Sequence, residues 1–168
     1  MESRMAGGFG AGPADLARLR RENPLHRSGV LLSGANETLG GQDGAGGEDG
    51  IVTAEEFGGL NLFGTELVVI SACDVRLGQA LGGDGVLGLR RALVQAGASG
   101  MVLPLWRADD GTTRELVTGL YRRCLSGAGA ADALTGAQRE VLARQRQLGG
   151  EPNPFDWAGL VAGGVGVP

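Results

Sequence analysis

Two places in this chain hold residue types that could do chemistry: Cys73, and the segment Arg107-Ala108-Asp109-Asp110. Cys73 follows Leu67-Val68-Val69-Ile70-Ser71-Ala72, where four aliphatic residues give way to two small ones just before the thiol. A thiol at the carboxyl end of a buried strand is firmly held, half open to solvent, and near backbone N–H groups that can stabilise an oxyanion. Such a cysteine can act as a nucleophile, and a neighbouring cationic histidine would lower its pKa. It can equally be a small core residue that ends a strand, as free cysteines often are. The spacing alone leaves both readings open. Cys124, inside Tyr121-Arg122-Arg123-Cys124-Leu125, reads as packing, and His26 as a solvated loop residue.

These residues must be positioned by strands and helices, and the sequence marks most of them. Gly29–Gly34 reads as a short buried strand bounded by glycines. Thr53 and Glu56 have capping-box spacing, so a short helix is expected from Ala54. Leu67–Ala72 is the clearest strand. Gly85–Ala98 carries apolar residues at 86, 87, 89, 93 and 94, a helical period that stops at Gly97. Gly100–Leu105 is a second buried strand ending at Pro104. Asp110 is placed to cap a helix through about Leu125, with Leu116, Val117, Leu120 and Tyr121 inward. A further helix is expected from about Ala130 to Leu148, and Trp157–Ala162 as a short edge strand. Strand, helix, strand, helix in this order predicts a right-handed parallel βαβ unit with helices on the sheet faces. Ligands bind such sheets beyond the carboxyl ends of their strands. Cys73 and residues 107–110 both fall there.

The bulk composition narrows the partners. The 168 residues suffice for one domain with a real core, and 42% are hydrophobic, although 33 are glycine and only 4% aromatic. All 15 basic residues are arginine, set against 19 acids, for a net charge of −4. Nucleic acid is not expected, because phosphate neutralisation needs a basic face. No run approaches the roughly 18 apolar residues of a membrane span, and the N-terminus lacks the apolar core of a signal peptide, so a cytoplasmic location is expected. Two cysteines make no disulfide framework. A single histidine without a Cys/His cluster supports no metal site, and no cofactor is expected.

The stretch Gly83-Asp84-Gly85-Val86-Leu87-Gly88 spells G-x-G-x-x-G and opens a helix. A dinucleotide-binding domain is thus a lesser alternative. With so many glycines, about one such match arises by chance in a chain of this length. The intervening residues 73–82 are also too long for the tight strand-to-helix turn that brings pyrophosphate onto a helix N-terminus.

Five segments in order carry a family resemblance. They are NPLHRSGVLLSGAN (23–36), DGIVTAEEF (49–57), the long block from Leu67 to Trp106, the pair Asp109-Asp110, and WAGLVAGG (157–164). Together they resemble the C-terminal two-thirds of a CHAT domain, the caspase- and separase-like cysteine peptidases of clan CD. Members of that family commonly show S-A-C-x-T-G-x-G, a G-G-[DE]-G-x-x-G-L-x-R-A helix start, and L-W-x-x-x-D at a strand end. The resemblance implies an α/β fold with a caspase-like, Rossmann-like, mostly parallel sheet flanked by helices, shortened on its N-terminal side. It implies a partial peptidase domain over 23–168, within which the glycine-rich composition of 39–50 predicts a flexible loop, while the polar, arginine-rich residues 1–22 are expected to be poorly ordered. It also implies that Cys73 is the nucleophile of peptide-bond hydrolysis, acting on a protein or peptide substrate. Relatives with basic specificity use an acid in the pocket, which makes Asp109 and Asp110 candidate substrate-binding residues. Helical repeats of the TPR type elsewhere in a longer protein are candidate partners.

The sequence departs from the pattern in two places. The family's catalytic histidine lies in a His-Gly pair shortly before the segment matched by NPLHRSG, yet residues 1–22 hold no histidine, and His26 precedes an arginine. Asp74-Val75-Arg76 replaces the usual acidic-Thr-Gly after the cysteine, which alters the backbone beside the nucleophile. The base is therefore expected upstream of this chain, and the chain alone is expected to be inactive. The alternative is a peptidase-like module that binds protein without cleaving it.

Overall fold

The computed structural model describes residues 25, 28–41, 49–71, 84–149 and 151–164, with backbone only at 84 and 85. Cys73, His26, residues 1–22 and the central part of the glycine-rich loop lie outside the described residues. A three-stranded sheet carries the fold, in the order β3-β4-β5. β3 is Val68–Val69, β4 is Gly100–Pro104 and β5 is Leu160–Gly164. β3 runs parallel to β4, with Val68 opposite Met101 and Val69 opposite Val102. β5 runs antiparallel on the other side of β4, so the sheet is mixed.

All five residues of β4 are buried, and their alternation divides the core in two. Met101 and Leu103 pack with Ile70 against Ala54, Leu89, Ala92 and Leu93. The last three belong to α3, Asp84–Ala96, which connects β3 to β4 in sequence. Val102 faces the other way, into a cluster with Leu116, Leu120, Ala133, Leu134, Ala137, Val141 and Leu160. Those side chains come from α4, Asp110–Leu125, α5, Ala130–Gln147, and β5. A strand buried on both faces reads as an unbroken apolar run rather than an alternating one. The result is an α/β sandwich with helices on both faces of the sheet.

The expected helices fall within a residue or two of their observed ends. α3 stops where expected, because Gly97 adopts φ +98°, a left-handed conformation that glycine takes without strain. Inside α3 and α4 the pattern overreaches at three positions. Leu87 is 55% exposed, Val94 44% and Tyr121 47%. None of the three belongs to the buried clusters around β4. β3 is shorter than the Leu67–Ala72 run, although Ile70 extends the ladder by donating its N–H to the Val102 carbonyl at 2.9 Å.

A second, two-stranded sheet pairs β1, Gly29–Leu31, antiparallel with β2, Ile51–Thr53. The expectation of a buried strand over 29–34 is only partly met. The strand ends at Leu31, and Leu31 and Leu32 are exposed. An unexpected helix α1, Ala35–Leu39, follows. The ends of the glycine-rich stretch are pinned: Thr38 Oγ1 donates to the Asp49 carbonyl at 2.8 Å, and Ile51 N–H to Asp49 Oδ1 at 2.9 Å. The capping box is present. α2, Ala54–Gly58, starts with Thr53 and Glu56 satisfying each other's backbone N–H.

The C-terminal segment differs most from expectation. Trp157 ends a helical turn, α6, Pro154–Trp157, and the strand starts only at Leu160. Asn153 caps that turn by accepting from Phe155 N–H at 3.0 Å, with Pro154 in the first turn, where its missing N–H costs nothing.

Leu103, fully enclosed between the sheet and α3, tests this layering. Leu103→Ala is expected to lower unfolding free energy by about 2–5 kcal/mol. Leu87→Ala, on the solvent side of the same helix, should change it by less than about 0.5 kcal/mol. Urea unfolding midpoints at unchanged slope would measure both.

Candidate functional site

Because β3 and β4 are parallel, both chains leave the sheet on the same side. Ile70 is bonded to Val102, and the next residue, Ser71, is exposed. Cys73 follows two positions later in sequence and lies outside the described residues. From β4 the chain continues through Leu105 and Trp106 to Asp109 and Asp110. The Leu105 N–H donates to the Gly159 carbonyl at 2.8 Å, which ties this exit to the start of β5.

Trp106 and Phe155 build a wall at the strand exit. Their rings stack with centroids 5.5 Å apart and planes 18° from parallel. The Trp106 Nε1–H donates to the Phe155 carbonyl at 2.7 Å, so the indole satisfies its one polar atom while keeping an apolar face. Gly159 passes close beneath; a Cβ there would sit 3.3 Å from Trp106 Nε1. Phe155 is half exposed. Phe155, 49 positions from Trp106 in sequence, is not among the residues that the sequence singles out. The available signal was Asn153-Pro154, a helix-start pair that presents the next residue in a fixed turn.

The two aspartates stand at the start of α4, and their roles differ from the sequence expectation. Asp109, rather than Asp110, is the N-cap. Its Oδ2 accepts from the Thr112 N–H at 2.9 Å and lies 3.3 Å from Thr112 Oγ1. Its extended backbone, φ −61° and ψ 137°, suits a cap. Asp110 occupies the first helical position, where a negative charge is favoured by the helix dipole. The cap shifts by one because Asp109 stands three residues before Thr112, the separation a capping side chain spans. Both aspartates are exposed at the strand-exit end.

Other marked residues take structural places. Cys124 is partly buried and packs against the α4/α5 core. Gly85 and Gly88 lie inside α3, and residues 72–83 separate the end of the Val68–Ser71 segment from the helix start. A dinucleotide site depends on a tight strand-to-helix turn, for which a sequence separation of that length is too long. Among the described residues, no group of three or more His, Cys, Asp and Glu side chains could hold a metal ion, and no helix is long and apolar enough to cross a membrane.

The cap can be separated from the charge. Asp109→Ala should cost about 1 kcal/mol of stability, whereas Asp109→Asn, whose amide oxygen caps equally well, should cost much less. Thermal unfolding of the two variants checks this.

A family model described as CHAT domain matches residues 8–165. No curated protein matches the chain, and no solved structure does.

Proposed function

The chain belongs to the CHAT domain family, a caspase-like, peptidase-related family, and from that premise we propose that it is a cysteine endopeptidase domain working through Cys73. What carries the reading is the shared exit of two parallel strands. Ser71, two residues before Cys73, leaves β3 on the side where Leu105–Asp110 leaves β4. In this reading the Cys73 thiolate adds to the scissile carbonyl carbon, and nearby backbone N–H groups stabilise the tetrahedral oxyanion. The C–N bond then breaks, the amine leaves with a proton, and a thioester remains on Cys73. Water attacks the thioester, regenerating the thiol and releasing the carboxylic acid.

The proton traffic needs a base. The one histidine of this sequence, His26, is followed by arginine, so the reading takes the base from a His-Gly segment outside these 168 residues. Without it, a thiol near its ordinary pKa of about 8.5 is only a few per cent thiolate at neutral pH. Asp109 and Asp110 would select a basic residue before the cleaved bond. Because Asp109 Oδ2 is engaged by Thr112, Oδ1 is the oxygen available to a guanidinium. The Trp106–Phe155 stack would flank that side chain. A second reading, a cleft that binds protein without cleaving it, draws support from Arg76, which stands where the family pattern has glycine.

An arginyl acyloxymethylketone probe tests the assignments of Cys73 and Asp109. Slow alkylation of Cys73, accelerating as pH rises through about 8.5, is the expected result, read by peptide mass spectrometry. Alkylation should vanish in Cys73→Ala. Asp109→Asn should slow the arginyl probe while leaving a small neutral alkylating agent unaffected. Modification that persists in Cys73→Ala, or a Cys73 inert even at pH values above about 9, would sink the nucleophile assignment. Equal rates in Asp109→Asn and the parent would remove Asp109 from substrate selection alone.

A further inference from the structure

We propose that the groove between α4 and α5 is a docking site for an acidic peptide segment. The proposal does not depend on peptidase activity. The groove encloses 280 Å³ and opens on the outer side of the two-helix layer. Its floor is made of small residues: Gly119, Ala137 and Val141. Gly119 is there because the helices nearly touch; a Cβ at that position would lie 2.9 Å from the Ala137 Cβ. A floor of short side chains, between helices studded with long ones, leaves a trough.

The walls are arginine-rich. Arg114 and Arg122 rise from α4 and Arg144 from α5. Two acids also line the groove, but each is already paired across the helices: Glu115 with Arg144, and Glu140 with Arg123 at 2.5 Å. Arg114 and Arg122 are exposed and make no ion pair with a described residue. The helix pair is therefore the basic part of an acidic protein. Over residues 110–147 there are six arginines and four acids, giving +2, and the other residues hold nine arginines and fifteen acids, giving −6.

Arg114 and Arg122 stand eight residues apart on one helix, about 12 Å along its axis. An extended peptide advances about 3.3 Å per residue, so carboxylates four residues apart reach both guanidinium groups. The arginine fork suits carboxylate geometry. The interleaved Glu115 and Glu140 argue against a continuous polyphosphate, which would meet carboxylates between its favourable contacts. Spaced carboxylates on a peptide avoid them.

The test is fluorescence anisotropy with a labelled nine-residue Gly/Ser peptide carrying two glutamates four positions apart. The same peptide with two glutamines is the control. The glutamate peptide should bind more tightly than the control, and its affinity should fall as salt rises from about 50 to about 500 mM. R114A/R122A should weaken it by at least about fivefold, as expected for losing two exposed charge pairs, while R114K/R122K retains part of the binding. Both arginines are exposed, so unfolding midpoints of the variants should match the parent and exclude misfolding. Equal binding of the two peptides, or an affinity unchanged in R114A/R122A, overturns the proposal. So does arginine-dependent binding of an RNA oligonucleotide or anionic vesicles tighter than that of the glutamate peptide.

Discussion

The molecule is organised around one strand that must be covered on both faces. Met101, Val102 and Leu103 are each at most 2% exposed, and neighbouring residues point to opposite sides of the sheet. One helix layer therefore cannot satisfy β4. α3 covers one face, with Leu89 and Leu93 against Met101 and Leu103. α4 and α5 cover the other, with Leu116, Leu120 and Leu134 around Val102. Fully burying each of these side chains stabilises the fold by roughly 1.5–3 kcal/mol. The connection that supplies α3 also makes β3 and β4 parallel, and parallel strands release their chains at a common end.

That common exit is where chemistry becomes possible. A chain leaving a buried strand keeps a well-held start and gains solvent within a residue or two, as Ile70 and Ser71 do at 8% exposed and exposed respectively. On the β4 side the exit is braced. Trp106 is bonded to and stacked on Phe155, Leu105 is bonded to Gly159, and Asp109 begins α4 by capping it. Asp109, proposed above as a substrate-reading residue, is thus a structural cap whose carboxylate is oriented by Thr112.

The α4/α5 layer shows how packing on one side shapes the surface on the other. To bury Leu116, Leu120, Leu134 and Val141 against a narrow sheet, the two helices come together at Gly119 and Ala137. The close approach leaves a groove outside, bridged by Arg144–Glu115 and Arg123–Glu140. Exposed pairs of this kind contribute little stability. Their effect is to fix which charges remain uncommitted along the groove.

Periodicity along the chain was enough to place α3, α4 and α5, whose long apolar patterns suit a helix, and a short apolar run bounded by Gly100 and Pro104 marked β4. The capping box at Thr53 and the stop at Gly97 were also legible, being local chemistry within a few residues. The five ordered segments around Cys73 sufficed for the family. Only the folded molecule showed that Asp109 rather than Asp110 caps α4, that Phe155 stacks on Trp106, and that Leu87, Val94 and Tyr121 stay in solvent. It also revealed an arginine-lined trough between two helices. Each of these depends on distances between residues far apart in sequence, or on how wide the sheet is beneath a helix. No local pattern encodes such distances, since they are set when the layers close over β4.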